Sequence, residues 1–285
     1  MDTNYSISRR IWRIIYPVLI FIGVQFAVMI VVGIFVSVFI SMDAIKSAGG
    51  FDMEAILDDS MRFLTERTVL ILLISNVASL GAFVPIWLKT RTYCPQYINS
   101  RPGKVCLLVV GLLAAMNIVQ MIIFSLVDVT KYFPSYNEVA EMLTTDSFAL
   151  QFLTVGIAAP ITEELVFRGI LISRMRWMPA WAAVLVQGLL FGLVHMNLFQ
   201  GLYAFVAGVV LGIIFVRYRS ILITIAGHVA FNISSLLLSE FAGEEAIAII
   251  LCAAVALLPI CIVFIAKSKK AEVWQPQNID NWRQV

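Results

Sequence analysis

Two histidines, His195 and His228, are the only imidazoles in the chain, and both lie inside hydrophobic stretches. Each has a partner four residues away, in Phe191-Gly-Leu-Val-His195 and His228-Val-Ala-Phe-Asn232. A third apolar stretch carries adjacent acids closed by an arginine, Glu163-Glu164-Leu-Val-Phe-Arg168. Ionisable groups are costly in lipid, so they face a bundle interior and usually mark a site. A buried carboxylate can serve as general base near neutral pH. One imidazole can hold the same water, and a second, with an amide, can donate to a developing oxyanion. Two histidines and a glutamate are equally the ligand set of a hydrolytic zinc site with one open position. Both versions activate water to cleave an acyl bond. No G-x-S-x-G, H-E-x-x-H or P-loop pattern occurs. Serine-hydrolase, zincin and nucleotide-driven chemistry therefore lose support.

The elements that carry these residues follow from helical spacing. Residues four apart share a helix face, so His228 points with Asn232 and Phe191 with His195. Glu164 and Arg168 are also four apart, with the acid first, the better order for an ion pair. Glu163 is turned by about 100° from Glu164. The expected division is a structural Glu164–Arg168 pair and a Glu163 left to face a cavity. Pro160 removes a backbone donor just upstream and can bend the helix there. A polar side chain in lipid is more often glue between helices than a catalyst. Asn76, Asn117, Gln120 and Gln187 are read that way.

The chain has 285 residues, 61% hydrophobic and 13% charged, with a mean hydropathy of +0.93. A soluble domain of this length would need a far more charged exterior, so the bilayer is the expected solvent. A net charge of +2 does not call for nucleic acid, and no nucleotide motif is present. The four cysteines, Cys94, Cys106, Cys252 and Cys261, form no C-x-x-C pair, so neither a disulfide framework nor a cysteine zinc site is expected. The run from Ile14 to Ile40 exceeds a signal-peptide core and is read as a retained first span.

At about 20 apolar residues per crossing, eight spans are expected: 14–40, 68–88, 105–127, 149–172, 179–198, 201–216, 220–239 and 245–266. With both termini cytoplasmic, only Lys46, Arg62, Arg67 and Lys131 fall in outside loops, in keeping with the positive-inside rule. The fold class is thus an all-α polytopic membrane protein of the cell membrane, with a polar site among its fourth, fifth and seventh spans. Residues 1–148 form an N-terminal region with a candidate amphipathic surface helix at 52–66, its apolar residues at helical spacing among acids. Residues 149–240 form the core that carries the motifs, 241–266 the last span, and 267–285 a polar cytoplasmic tail expected to be poorly ordered.

The three motifs, in this order, resemble those of the CPBP family of intramembrane proteases. That family includes the type II CAAX prenyl endopeptidases and the Abi-like proteins. Glu163, Glu164 and Arg168 match its first motif, Phe191 and His195 its second, and His228 and Asn232 its third. The likeness covers about residues 149–240. It implies a membrane-embedded endopeptidase acting on a peptide or protein near the bilayer. Glu163 and His195 would activate the attacking water, and His228 with Asn232 would stabilise the oxyanion, with Glu164, Arg168 and Phe191 in support. The resemblance implies either a metal-free glutamate mechanism or one divalent ion, Zn2+, on Glu163, His195 and His228. Nothing in the sequence requires a prenylated substrate. The competing readings are a non-catalytic scaffold or bacteriocin-immunity-type protein and a proton-coupled transporter, though no repeated halves support the last.

Depth presents a difficulty. On straight, centred helices Glu163 and His228 lie about 2–4 Å to the cytoplasmic side of the midplane, and His195 about 10 Å to the other, at a rise of 1.5 Å per residue. Shared chemistry therefore predicts a sunken or displaced hairpin of the fifth and sixth spans, with His195 within one water's reach of Glu163.

Overall fold

The computed structural model describes residues 3–48, 53–91, 102–126, 129–133, 135, 141–143, 147–241, 243–268 and 274. Asp52, Cys94, Arg101 and the tail beyond 268 other than Trp274 lie outside them, so the expectations for those positions have no structural counterpart here. The described residues are mostly helical, with no strand among them. Helices α1 (Thr3–Ala48), α2 (Met53–Glu66), α3 (Thr68–Arg91) and α4 (Pro102–Leu126) precede the motif-bearing part. Next comes α5, a helix over 148–172 in which two π-helical stretches, Phe152–Ala158 and Leu165–Ile172, flank a short α-helical stretch, Ala159–Glu164. Then follow α6 (Ala180–Leu193), α7 (Leu198–Tyr218), α8 (Ile221–Phe241) and α9 (Glu244–Lys267).

Six of these, α1, α3, α4, α7, α8 and α9, are long and apolar enough to cross a bilayer. Large apolar side chains cover the outside, with Phe35 at 76%, Leu107 at 73% and Ile249 at 72% exposure. The interior holds Glu164, Arg168 and Gln187 with no exposure at all. Apolar groups outside and polar groups gathered inside are what a lipid solvent selects. The chain is an all-α, multi-pass membrane protein. Within the stretch 52–66, Met53–Glu66 is helical as α2, turning Ile56 and Ser60 inward and leaving Met53, Leu57 and Met61 exposed.

The fifth expected span, 179–198, needs correction. Helix α6 has only 14 residues, about 21 Å at 1.5 Å per residue, against about 30 Å of hydrocarbon. The chain turns early because α6 and α7 meet backbone to backbone. A Cβ on Gly192 would lie 2.6 Å from the Gly201 carbonyl oxygen, a gap only glycine permits. Met196 takes a left-handed φ of 56° in the turn. Asn197 then caps α7, its side-chain oxygen accepting from the Gln200 amide at 3.0 Å.

Two apolar clusters flank the polar interior. One joins Phe21 and Phe83 of α1 and α3 to Phe167 and Phe191, and the other joins Val109 and Leu113 of α4 to Leu211 and Phe231 of α7 and α8. Of the tail beyond 268, Trp274 is described, and it packs against the bundle. The Trp274 indole donates to the Met178 carbonyl at 3.0 Å, and its ring lies beneath the Arg176 guanidinium.

Candidate active site

Arg168 is the buried anchor of the polar residues at the site. Its Nη1 donates to Glu164 Oε1 at 2.6 Å, with both side chains fully buried, as the i, i+4 spacing predicts. Its Nη2 donates to the Gly208 carbonyl at 3.2 Å, and Gln187 donates to the same oxygen at 2.7 Å. The guanidinium also lies 4.7 Å from the centroid of the Phe191 ring. Arg168 thus ties α5 to α6 and α7 at one point. Gln187 acts as interhelical glue, and so does Asn117, which donates to Ser234 Oγ at 2.9 Å.

Glu164 does more than the sequence indicated. The same Oε1 accepts from His228 Nδ1 at 2.8 Å. A carboxylate paired with arginine only accepts, so His228 carries its hydrogen on Nδ1 and turns Nε2 outward. That Nε2 lies 3.6 Å from Glu163 Oε2. Arg168, Glu164, His228 and Glu163 therefore form one continuous polar chain, buried at the arginine end and 16% exposed at Glu163. Glu163, expected to stand free, faces the cavity with His228 as its neighbour.

His195 is oriented in the same manner by a different acceptor. Its Nδ1 lies 2.7 Å from the Phe191 carbonyl oxygen, which again leaves Nε2 as the lone-pair nitrogen. The Phe191 ring stands edge-on to both imidazoles, with centroids 4.9 Å from His195 and 5.7 Å from His228. Asn232 is not committed to the cavity alone, because its Nδ2 donates to the Val155 carbonyl at 2.8 Å. Glu163, His195, His228 and Asn232 all line a single cavity of about 680 Å3.

Residues 145–234 match the family model described as type II CAAX prenyl endopeptidase Rce1-like. This segment is Rce1-like. It is the family that the three motifs resemble. No match is found among curated proteins or among solved structures.

The Rce1-like segment supplies Glu163, Glu164, Arg168, Phe191, His195, His228 and Asn232, but it does not close the cavity by itself. Gln25 of α1, Asn76 of α3 and Gln120 of α4 complete the wall, all from outside the matched segment. Sequence reading passed over Gln25 and treated Asn76 and Gln120 as glue. The available signal was a polar side chain in each of the first three spans. The donors suit a divalent ion chemically, since each imidazole has its Nδ1 anchored and the lone pair on Nε2. Among the described residues, no three of the His, Cys, Asp and Glu side chains are gathered to hold a metal.

Proposed function

We propose that the chain is a membrane-embedded, CAAX-protease-like endopeptidase in which Glu163 is the general base. The observation that carries this reading is the juxtaposition of Glu163 Oε2 and His228 Nε2 at 3.6 Å on the wall of one cavity. Glu163 takes a proton from a water held with His195, and the hydroxide attacks the carbonyl carbon of a peptide bond. The proton passes through His228 Nε2 to the leaving nitrogen as the C–N bond breaks, and Glu163 returns to the carboxylate. Glu164 fixes the His228 tautomer, so Nε2 accepts when the ring is neutral and donates when it is protonated. In the protonated state that N–H, with the uncommitted amide hydrogen of Asn232, stabilises the oxyanion. The substrate is a peptide or protein segment reached at the membrane, and both termini lie on the cytoplasmic side. Zn2+ is the cofactor the donor chemistry would suit, on Glu163, His195 and His228, where it would act as a Lewis acid on the water. No step above runs through it.

The test is incubation of the purified protein in detergent with a peptide library, against Glu163→Ala and His228→Ala. Cleavage by the wild type that is lost in both variants supports the reading, and cleavage unchanged in both overturns it. A chelator arm separates the two chemistries, because the metal-free route predicts no loss on chelation.

A further inference from the structure

We infer that Asn232 is a positioning residue that replaces a backbone donor missing at Pro160, and so holds the segment carrying Glu163. The chain of observations begins with the backbone. At the end of the first π-helical stretch the Ala159 N–H donates to the Thr154 carbonyl, five residues back. In that register the next carbonyl, that of Val155, falls to residue 160. Pro160 has no N–H to give. A carbonyl left unpaired in a water-poor bundle is costly. The Asn232 amide fills the vacancy from α8, reaching Val155 O at 2.8 Å. Pro160 opens the short α-helical stretch Ala159–Glu164, and Glu163 lies within that stretch, less than one turn after the proline. The same α8 carries His228, one turn before Asn232. One hydrogen bond from α8 therefore sets the entry of the stretch bearing Glu163 relative to the helix bearing His228. An amide has two hydrogens, so the bond to Val155 leaves one for the cavity.

The inference about catalysis rests on the protease reading, but the hydrogen-bond exchange does not, and the experiment separates them. Full-length wild type, Asn232→Ala, Pro160→Ala and the double variant are compared for thermal midpoint and for kcat/KM on a peptide that the wild type cleaves. Pro160→Ala restores an N–H facing Val155. Asn232→Ala is expected to lower the midpoint by about 2–6 °C with Pro160 present, and by less than half as much in the Pro160→Ala background. It is expected to lower kcat/KM by about 10- to 100-fold, mainly through kcat, with several-fold recovered in the double variant. A role in packing alone would not be relieved by a backbone donor. Pro160→Ser, which also carries an N–H, should repeat the result if Pro160→Ala folds poorly. Equal losses in both backgrounds would overturn the inference. Should the wild type cleave nothing, the protease reading falls and the thermal cycle alone decides.

Discussion

Glu164 is shared between Arg168 and His228 at full burial, so its loss strands a cation. Glu164→Gln is expected to cost about 3–5 kcal/mol, since breaking a buried pair leaves an uncompensated charge, and thermal or denaturant unfolding would register it. His195 behaves oppositely. Its hydrogen bond runs to a carbonyl of its own turn and ties down no other helix. His195→Ala should therefore leave the unfolding midpoint within about 2 °C and still lower kcat/KM by about 10²-fold or more. The contrast between the two variants separates support from chemistry. The i, i+4 pair of Glu164 and Arg168 was legible from spacing, as was the cavity-facing turn of Glu163. The Glu164–His228 bond was not, because it joins α5 to α8, and helical periodicity describes only one helix at a time. Asn232 was legible as a polar residue on the face of His228, but its bond to Val155 depends on a π register that no sequence pattern announced.

At the scale of elements, the α6–α7 hairpin carries His195 to the site and is held by a contact that excludes side chains. Gly192→Val would drive a β-carbon against the Gly201 carbonyl, where a Cβ already stands at 2.6 Å. Backbone cannot rotate away as a side chain can, so a loss of about 1–3 kcal/mol or more is expected, together with loss of cleavage. Gly23→Ala is the matched control. A Cβ at Gly23 meets nothing within 4 Å, so its midpoint should hold or rise slightly, as alanine favours a helix interior. Hydropathy foretold α3, α4, α8 and α9 to within a few residues of their ends. It overran α6 because apolar composition continues through His195 to Leu198, whereas the turn is fixed by tertiary contact between glycines. The two π-helical stretches of α5 were also invisible, as nothing in their composition marks the wider helical register.

For the whole molecule, the composition announced a membrane protein, and the arrangement agrees, with apolar side chains outward and the polar chain from Arg168 to Glu163 inward. The three N-terminal spans gave no signature, yet they close the cavity with Gln25, Asn76 and Gln120. A motif records where the chemistry is, while a cavity wall requires only residues of suitable size and polarity, which many sequences satisfy. The extent of the cavity past the Rce1-like segment is thus a property of the assembled bundle. The central claim is that Glu163 drives hydrolysis from within that bundle, and it is tested most directly by kcat/KM of Glu163→Gln on a peptide that the wild type cleaves. The substitution keeps the shape and removes the base. The expected result is a fall of about 10²- to 10⁴-fold with the unfolding midpoint unchanged within about 2 °C. Cleavage by a folded Glu163→Gln protein at a rate within about threefold of the wild type would contradict it.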